Sequence, residues 1–157
     1  IGIFSVAFFV TFEVSWISIL KYIVCLLIIM QILLDYRFFL LSTNISILIM
    51  LLSLGLAYLD IKISVIESFI GLCLGYISLW LINFIFKSIK SKDGIGSGDF
   101  IFLAALCSLV GYKLIGPIVL GASLISLLIY FLSNKEKQLL PFGAGMGLAT
   151  LSLIFFL

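Results

Sequence analysis

The chain has 157 residues, 64% of them hydrophobic and only 10% charged, with a mean hydropathy of +1.43. A water-soluble domain carries about 25% charged residues, so this composition excludes a soluble globular fold and is better counted in membrane spans of about 20 residues. A net charge of +2 without a basic tract gives no support to nucleic-acid binding, and the absence of His removes Ser-His and Cys-His nucleophile systems and the commonest metal ligand.

Uncharged apolar runs divide the sequence. Residues 1–12 read as a partial span ended by Glu13 and Trp16. The run carries no basic n-region and no cleavage site, so it is expected to be a piece of a longer membrane protein rather than a signal peptide. Residues 17–34 form the next segment, with Lys21 and Gln31 as its strongly polar members. Residues 38–59 and 68–86 are uncharged throughout, and a polar stretch rich in Lys, Ser and Gly follows at 87–99. A short apolar run at 100–112 precedes 114–133, and a second polar stretch at 134–138 leads into 139–157.

These runs must be helices. Hydrocarbon offers no partner to backbone groups, so a span is a helix or part of a closed barrel, and barrel strands would alternate polar with apolar residues. The expected fold is an all-α polytopic transmembrane bundle of about six to seven segments. Gly71 with Gly75, and Gly143 with Gly147, offer small faces where helices could approach closely. The three cysteines, Cys25, Cys73 and Cys107, lie far apart in apolar runs and read as packing residues rather than a disulfide framework or zinc site.

Crossing parity places Arg37, Lys87, Lys90, Lys92, Lys135 and Lys137 on one side, and Lys21, Lys62 and Lys113 toward the other. Six against three favours the first side as cytoplasmic. Glu13, Asp60 and Glu67 read as solvated helix ends.

Two acids stand apart. Asp35 closes one segment in Leu33-Leu34-Asp35-Tyr36-Arg37, and Asp99 ends Gly94-Ile95-Gly96-Ser97-Gly98-Asp99. Two crossings separate them, so both belong at the same membrane face. As a helix, residues 99–112 would span about 21 Å at about 1.5 Å per residue, short of a core of about 30 Å. Either that helix runs on past Lys113, or Asp99 sits in a protein-lined or wet pocket. The plain alternative for each Asp is an interfacial residue that caps a helix.

Paired carboxylates at one face suit aspartyl-protease chemistry. One takes a proton from water while the other polarises a carbonyl, and the pair shares a proton. Asp99 opens a helix and Asp35 closes one, so the dipoles of their own helices assign Asp99 the role of base and Asp35 that of acid.

The stretch Lys92-Asp93-Gly94-Ile95-Gly96-Ser97-Gly98-Asp99-Phe100, with Leu103-Ala104-Ala105-Leu106 and Gly111 after it, closely resembles the GxGD signature of type IV prepilin peptidases. Asp35 lies 99 − 35 = 64 residues upstream, where that family has its other catalytic aspartate. Leu140-Pro141-Phe142-Gly143 resembles the family's Pro-Phe-Gly motif. The resemblance implies that Asp35 and Asp99 are catalytic and that Gly96, Gly98, Pro141, Phe142 and Gly143 shape the cleft. It implies a membrane aspartyl endopeptidase of the bacterial inner membrane, with its active site at the cytoplasmic face and the lipid bilayer around it, cleaving the cytoplasmic leader of prepilins or type II secretion pseudopilins. No metal or organic cofactor is implied.

Two departures are visible. The family often has Pro seven residues after the first Asp, where this chain has Ser42. Many members also carry a cytoplasmic region with paired cysteines, linked to methylation of the new N-terminus, and nothing here corresponds to it. Residues 1–157 are therefore expected to be the peptidase core without that region. The alternatives are a peptidase for preflagellins or other pilin-like proteins, and a non-enzymatic transporter or assembly scaffold.

Overall fold

The computed structural model describes residues 16–59, 63–92, 94–132 and 140–156. Among these the chain is helical with no strand: α1 (Trp16–Phe38), α2 (Thr43–Leu59), α3 (Val65–Lys90), α4 (Ser97–Val110), α5 (Ile115–Leu132) and α6 (Phe142–Phe156). The expected all-α bundle is what forms. The first expected segment, 1–12, lies outside the described residues, as do Glu13, Asp60, Lys62, Lys135 and Lys137.

Among the described residues, three stretches are long and apolar enough to cross a membrane: Trp16–Phe38, Val65–Lys90 and Tyr112–Leu132. Their outward faces carry large apolar side chains in the open, among them Leu33, Phe69, Trp80, Phe84 and Leu124. Contiguous apolar exposure on this scale is untenable in water and ordinary against lipid tails. The protein is an integral membrane protein.

The bundle is built around its shortest apolar helix. In α4 every residue from Phe102 to Ser108 is buried. It packs chiefly against α3 and α2 and also touches α6, which is held by α5 and α1. The extension of this helix past Lys113 does not occur. α4 ends at Gly111, whose φ of +86° suits a residue without a Cβ, and a single 3-10 turn (Tyr112–Leu114) leads into α5.

Close approach of α3 to α4 depends on the two glycines read from the sequence. A Cβ on Gly71 would strike the Cys107 carbonyl, and one on Gly75 would lie 3.1 Å from Ala104 Cα. Ser68 adds a hydrogen bond from Oγ to the Ser108 carbonyl at 2.7 Å. Two other buried hydroxyls turn back to their own helices, Ser53 to Ile49 O and Thr150 to Met146 O, and among the described residues no buried side-chain polar atom lacks a partner. Cys25 and Cys107 are buried free thiols and Cys73 a half-buried one, in keeping with a packing role. At the end of α3 remote from its lysines, Ser64 and Glu67 form a capping box and Glu67 pairs with Lys113 at 3.5 Å.

Candidate active site

The opposite end of the bundle gathers the three motifs. α1 delivers Asp35 in its last turn, α4 opens with Ser97, Gly98 and Asp99, and α6 begins at Phe142, just after Pro141. All three ends converge on Leu41, in the connection between α1 and α2. A Cβ on Gly98 would lie 3.2 Å from Leu41 Cβ, and one on Gly143 would lie 2.7 Å from Leu41 Cδ1 and 3.1 Å from Asp35 Oδ2. The motif glycines are needed here for space. Gly96 has φ −69° and ψ 145°, a conformation open to any residue.

Asp35 is 6% exposed. Its Oδ2 accepts the backbone N–H of Ala144 at 2.7 Å, and the neighbouring Gly143 N–H also faces the carboxyl. The reason lies in the local sequence of α6. The residue before its first turn is Pro141, which has no side-chain oxygen to cap the free N–H groups. The carboxyl of Asp35, reaching across from α1, supplies the missing cap. Pro141 contributes through its carbonyl, which accepts Gly145 N–H at 3.3 Å and the Ser126 hydroxyl at 3.1 Å.

Asp99 is half-buried and occupies the third position of α4. Its carboxyl faces back to the N–H of Gly96, the reciprocal half of a capping box. It also lies within electrostatic reach of Asp35. The helix-dipole distinction drawn from the sequence therefore disappears. It counted only the helix each Asp belongs to, whereas Asp35 sits at the N-terminus of α6, so both carboxyls face helix N-termini.

Two amides support this end, and reading the sequence for ionisable groups alone passes over their role. Asn83 Oδ1, on α3, accepts the N–H groups of Gly94 and Ile95 at 2.9 and 3.1 Å. One turn further on, the Phe86 ring covers Gly94 so closely that a Cβ there would sit 2.7 Å from Cδ1. Asn83 thus fixes the loop that leads to Asp99. Gln31, on α1, bonds to Ser42 and Ser46 beside the turn that follows Asp35. The available signal was an amide in an otherwise apolar span, where a polar side chain needs a partner.

A family model described as the type IV leader peptidase family matches residues 20–132, well over half of the chain. The chain belongs to the type IV leader peptidase family. Proteins similar to it include the prepilin leader peptidase/N-methyltransferase of Dichelobacter nodosus, 37% identical over 103 residues, which cover 63% of this chain and 36% of that protein. The protein of the same description from Xanthomonas campestris pv. campestris is 36% identical over 85 residues, 51% of this chain and 30% of its own length. That from Pectobacterium carotovorum subsp. carotovorum is 34% identical over 90 residues, 55% and 32% respectively. The match thus spans about a third of the length of these relatives. No solved structure matches the chain significantly. The family model covers both Asp35 and Asp99, while Pro141, Phe142 and Gly143 lie beyond its matched stretch.

Proposed function

We propose that this chain is the core of a membrane aspartyl endopeptidase that removes the short cytoplasmic leader from type IV prepilins or type II secretion pseudopilins. What carries the reading is the meeting of Asp35 and Asp99 at one end of the bundle, from helices separated by two others, within electrostatic reach of each other. Family membership and the similarity to prepilin leader peptidases support the same substrate class. In this reading residues 1–157 are one peptidase domain, and Gly96, Gly98, Pro141, Phe142 and Gly143 keep the cleft narrow and its backbone accessible.

Two carboxyls within electrostatic reach of each other share one proton, since both cannot ionise cheaply. The ionised member takes a proton from water as its oxygen adds to the scissile carbonyl carbon. The protonated member hydrogen-bonds and then protonates the carbonyl oxygen, giving a neutral gem-diol. On collapse, the C–N bond breaks, a proton passes to the departing nitrogen, and the dyad returns to one shared proton. Since the pair titrates jointly, acid and base are roles of the pair rather than fixed labels.

The charge distribution supports a membrane side for the site. Arg37, Lys87 and Lys90 close the helices at the Asp35 and Asp99 end, and Lys113 lies at the other. That bias favours a cytoplasmic placement of the site, in the bacterial inner membrane, where a prepilin leader would meet it.

The test is cleavage of a purified prepilin by membranes carrying the chain, beside Asp35→Asn and Asp99→Asn variants present in equal amount. Leader removal by the parent and by neither variant is expected. Equal cleavage by all three would transfer the carboxyls to a structural role, and no cleavage by the parent across several pilin-like substrates would end the peptidase reading.

A further inference from the structure

Gln31 lies one helical turn before Asp35 on α1 and has 0% exposure. Its Nε2 donates to the Ser42 carbonyl and to Ser46 Oγ, each at 2.8 Å, and its Oε1 accepts the Ser42 N–H at 3.1 Å. One side chain therefore satisfies both backbone polar groups of Ser42. Ser42 is also where α2 begins to be held, since its carbonyl accepts Ser46 N–H at 3.1 Å.

The segment tied down in this way is short and unfavourable on its own terms. It leaves α1 through Phe39, a non-glycine residue at φ +53°, and passes through Leu40 and Leu41 before α2 starts. A bulky residue in that region is strained and persists only where its surroundings over-determine it. Phe39 N–H donates to the Asp35 carbonyl at 2.9 Å, and the Gln31 amide ties the far side of the segment down at Ser42. What it fixes is Leu41, whose side chain packs against Gly143 and whose Cβ faces Gly98. Asp35 follows Gln31 by one turn on the same helix, Asp99 follows Gly98 directly, and Ala144, whose N–H donates to Asp35, follows Gly143 directly.

We infer that Gln31 is a positioning residue of the peptidase: by clamping Ser42 it sets Leu41 between the Gly98 and Gly143 backbones and so holds the Asp35 and Asp99 carboxyls in register. The inference rests on the peptidase reading. Gln31 touches neither the water nor the scissile bond in this scheme, so its effect belongs to the chemical step and not to substrate capture. Misplacement of reacting groups by about 1 Å costs on the order of a hundredfold in rate.

The clamp also predicts its own replacement. Proline at position 42 would remove the N–H that Gln31 serves and lock φ near −65°. Leu41 is already outside the helices, as the residue before a proline prefers to be.

The experiment compares the full chain with Gln31→Met, Ser42→Pro and the double variant, in detergent or membranes, with prepilin cleavage resolved into kcat and KM per folded protein. Asp35→Asn serves as the inactive control. Expected are a loss in kcat of about ten- to a hundredfold for Gln31→Met at nearly unchanged KM, and recovery of most of it in the double variant. If Gln31→Met does not accumulate as folded protein, Gln31→Asn, one methylene too short for the clamp, is read in the same way. Parental kcat in the Gln31 variant, a loss confined to KM, or a lost kcat that Ser42→Pro fails to restore would each overturn the clamp while leaving the peptidase reading in place. An inactive parent beside an equally inactive control would remove the peptidase reading, and this inference with it.

Discussion

Asp35 and Ala144 stand 109 residues apart in the chain and meet through a 2.7 Å hydrogen bond in which the carboxyl caps the final helix. The bond gives Asp35 two separable duties, one chemical and one structural. Asn at this position keeps an acceptor oxygen and loses the acid, whereas Ala loses both. Asp35→Asn is expected to abolish cleavage with little change in thermal stability. Asp35→Ala should abolish cleavage and also cost about 1 kcal/mol, the usual worth of a helix cap. Thermal unfolding of the purified variants beside their cleavage assays separates the two duties. Equal stability of both would show that the cap contributes nothing.

The same corner makes Gly143 sensitive to a single methyl group. An added Cβ would press on the Leu41 methyls at 2.7 and 2.9 Å and on Asp35 Oδ2 at 3.1 Å. The Leu41 methyls are the far end of a flexible side chain, so the bundle should tolerate Gly143→Ala at a cost of about 1–3 kcal/mol. The carboxyl has less freedom, because its other contact is the α6 backbone. Cleavage should therefore fall by more than the folded fraction does. Adding Leu41→Ala should return stability, since the two changes share one contact and cannot be additive.

Asn83 holds the loop before Asp99 by one oxygen shared between two backbone N–H groups. Asn83→Leu leaves both without that acceptor, and a donor left unpaired out of reach of water costs about 1–3 kcal/mol, less here because Gly94 is exposed and Ile95 only half-buried. The expected result is a loosened loop rather than an unfolded bundle, because Asn83 lies at the edge of the core. Limited proteolysis should cut the variant faster between Ser91 and Ser97, with cleavage activity reduced. A loop as resistant as the parent's would show that Phe86 and Ile95 hold it without the amide.

The membrane fold was legible because its cause is in composition. Apolar runs long enough to span are not mistaken for anything else, and the two-crossing separation of Asp35 from Asp99 follows from counting them. The site was legible where a motif is contiguous, as in Gly94 to Asp99. What stayed hidden is what forms across helices. Asp35 reads as the end of its own helix, and nothing local to it reveals that the nearest N–H groups belong to α6. Gln31 reads only as a polar member of an apolar span and Asn83 passes unremarked in another, because most of the partners they hold are backbone groups that any sequence would supply. Leu41, on which Gly98 and Gly143 converge, is one leucine among many.

The far end of the bundle offers a contrast between a visible contact and an energetic one. Lys113 and Glu67 pair at 3.5 Å with side chains that are 72% and 37% exposed. Exposed pairs of this kind are worth about 0–1 kcal/mol, and Lys113→Gln should leave stability and cleavage unchanged. Gly71, close by, makes no polar side-chain contact at all, yet a Cβ there would strike the Cys107 carbonyl on α4. Backbone cannot yield as a leucine methyl can. Gly71→Val must therefore push α3 away from α4, the most closely packed pair in the bundle, and strain the Ser68–Ser108 hydrogen bond one turn earlier. Overpacking of this kind costs about 1–3 kcal/mol or more. The loss should appear as a lowered unfolding temperature, with cleavage per folded molecule near the parent's, since Gly71 lies at the end opposite Asp35 and Asp99. A Gly71→Val protein as stable as the parent would mean that the two helices do not meet as closely as their glycines allow.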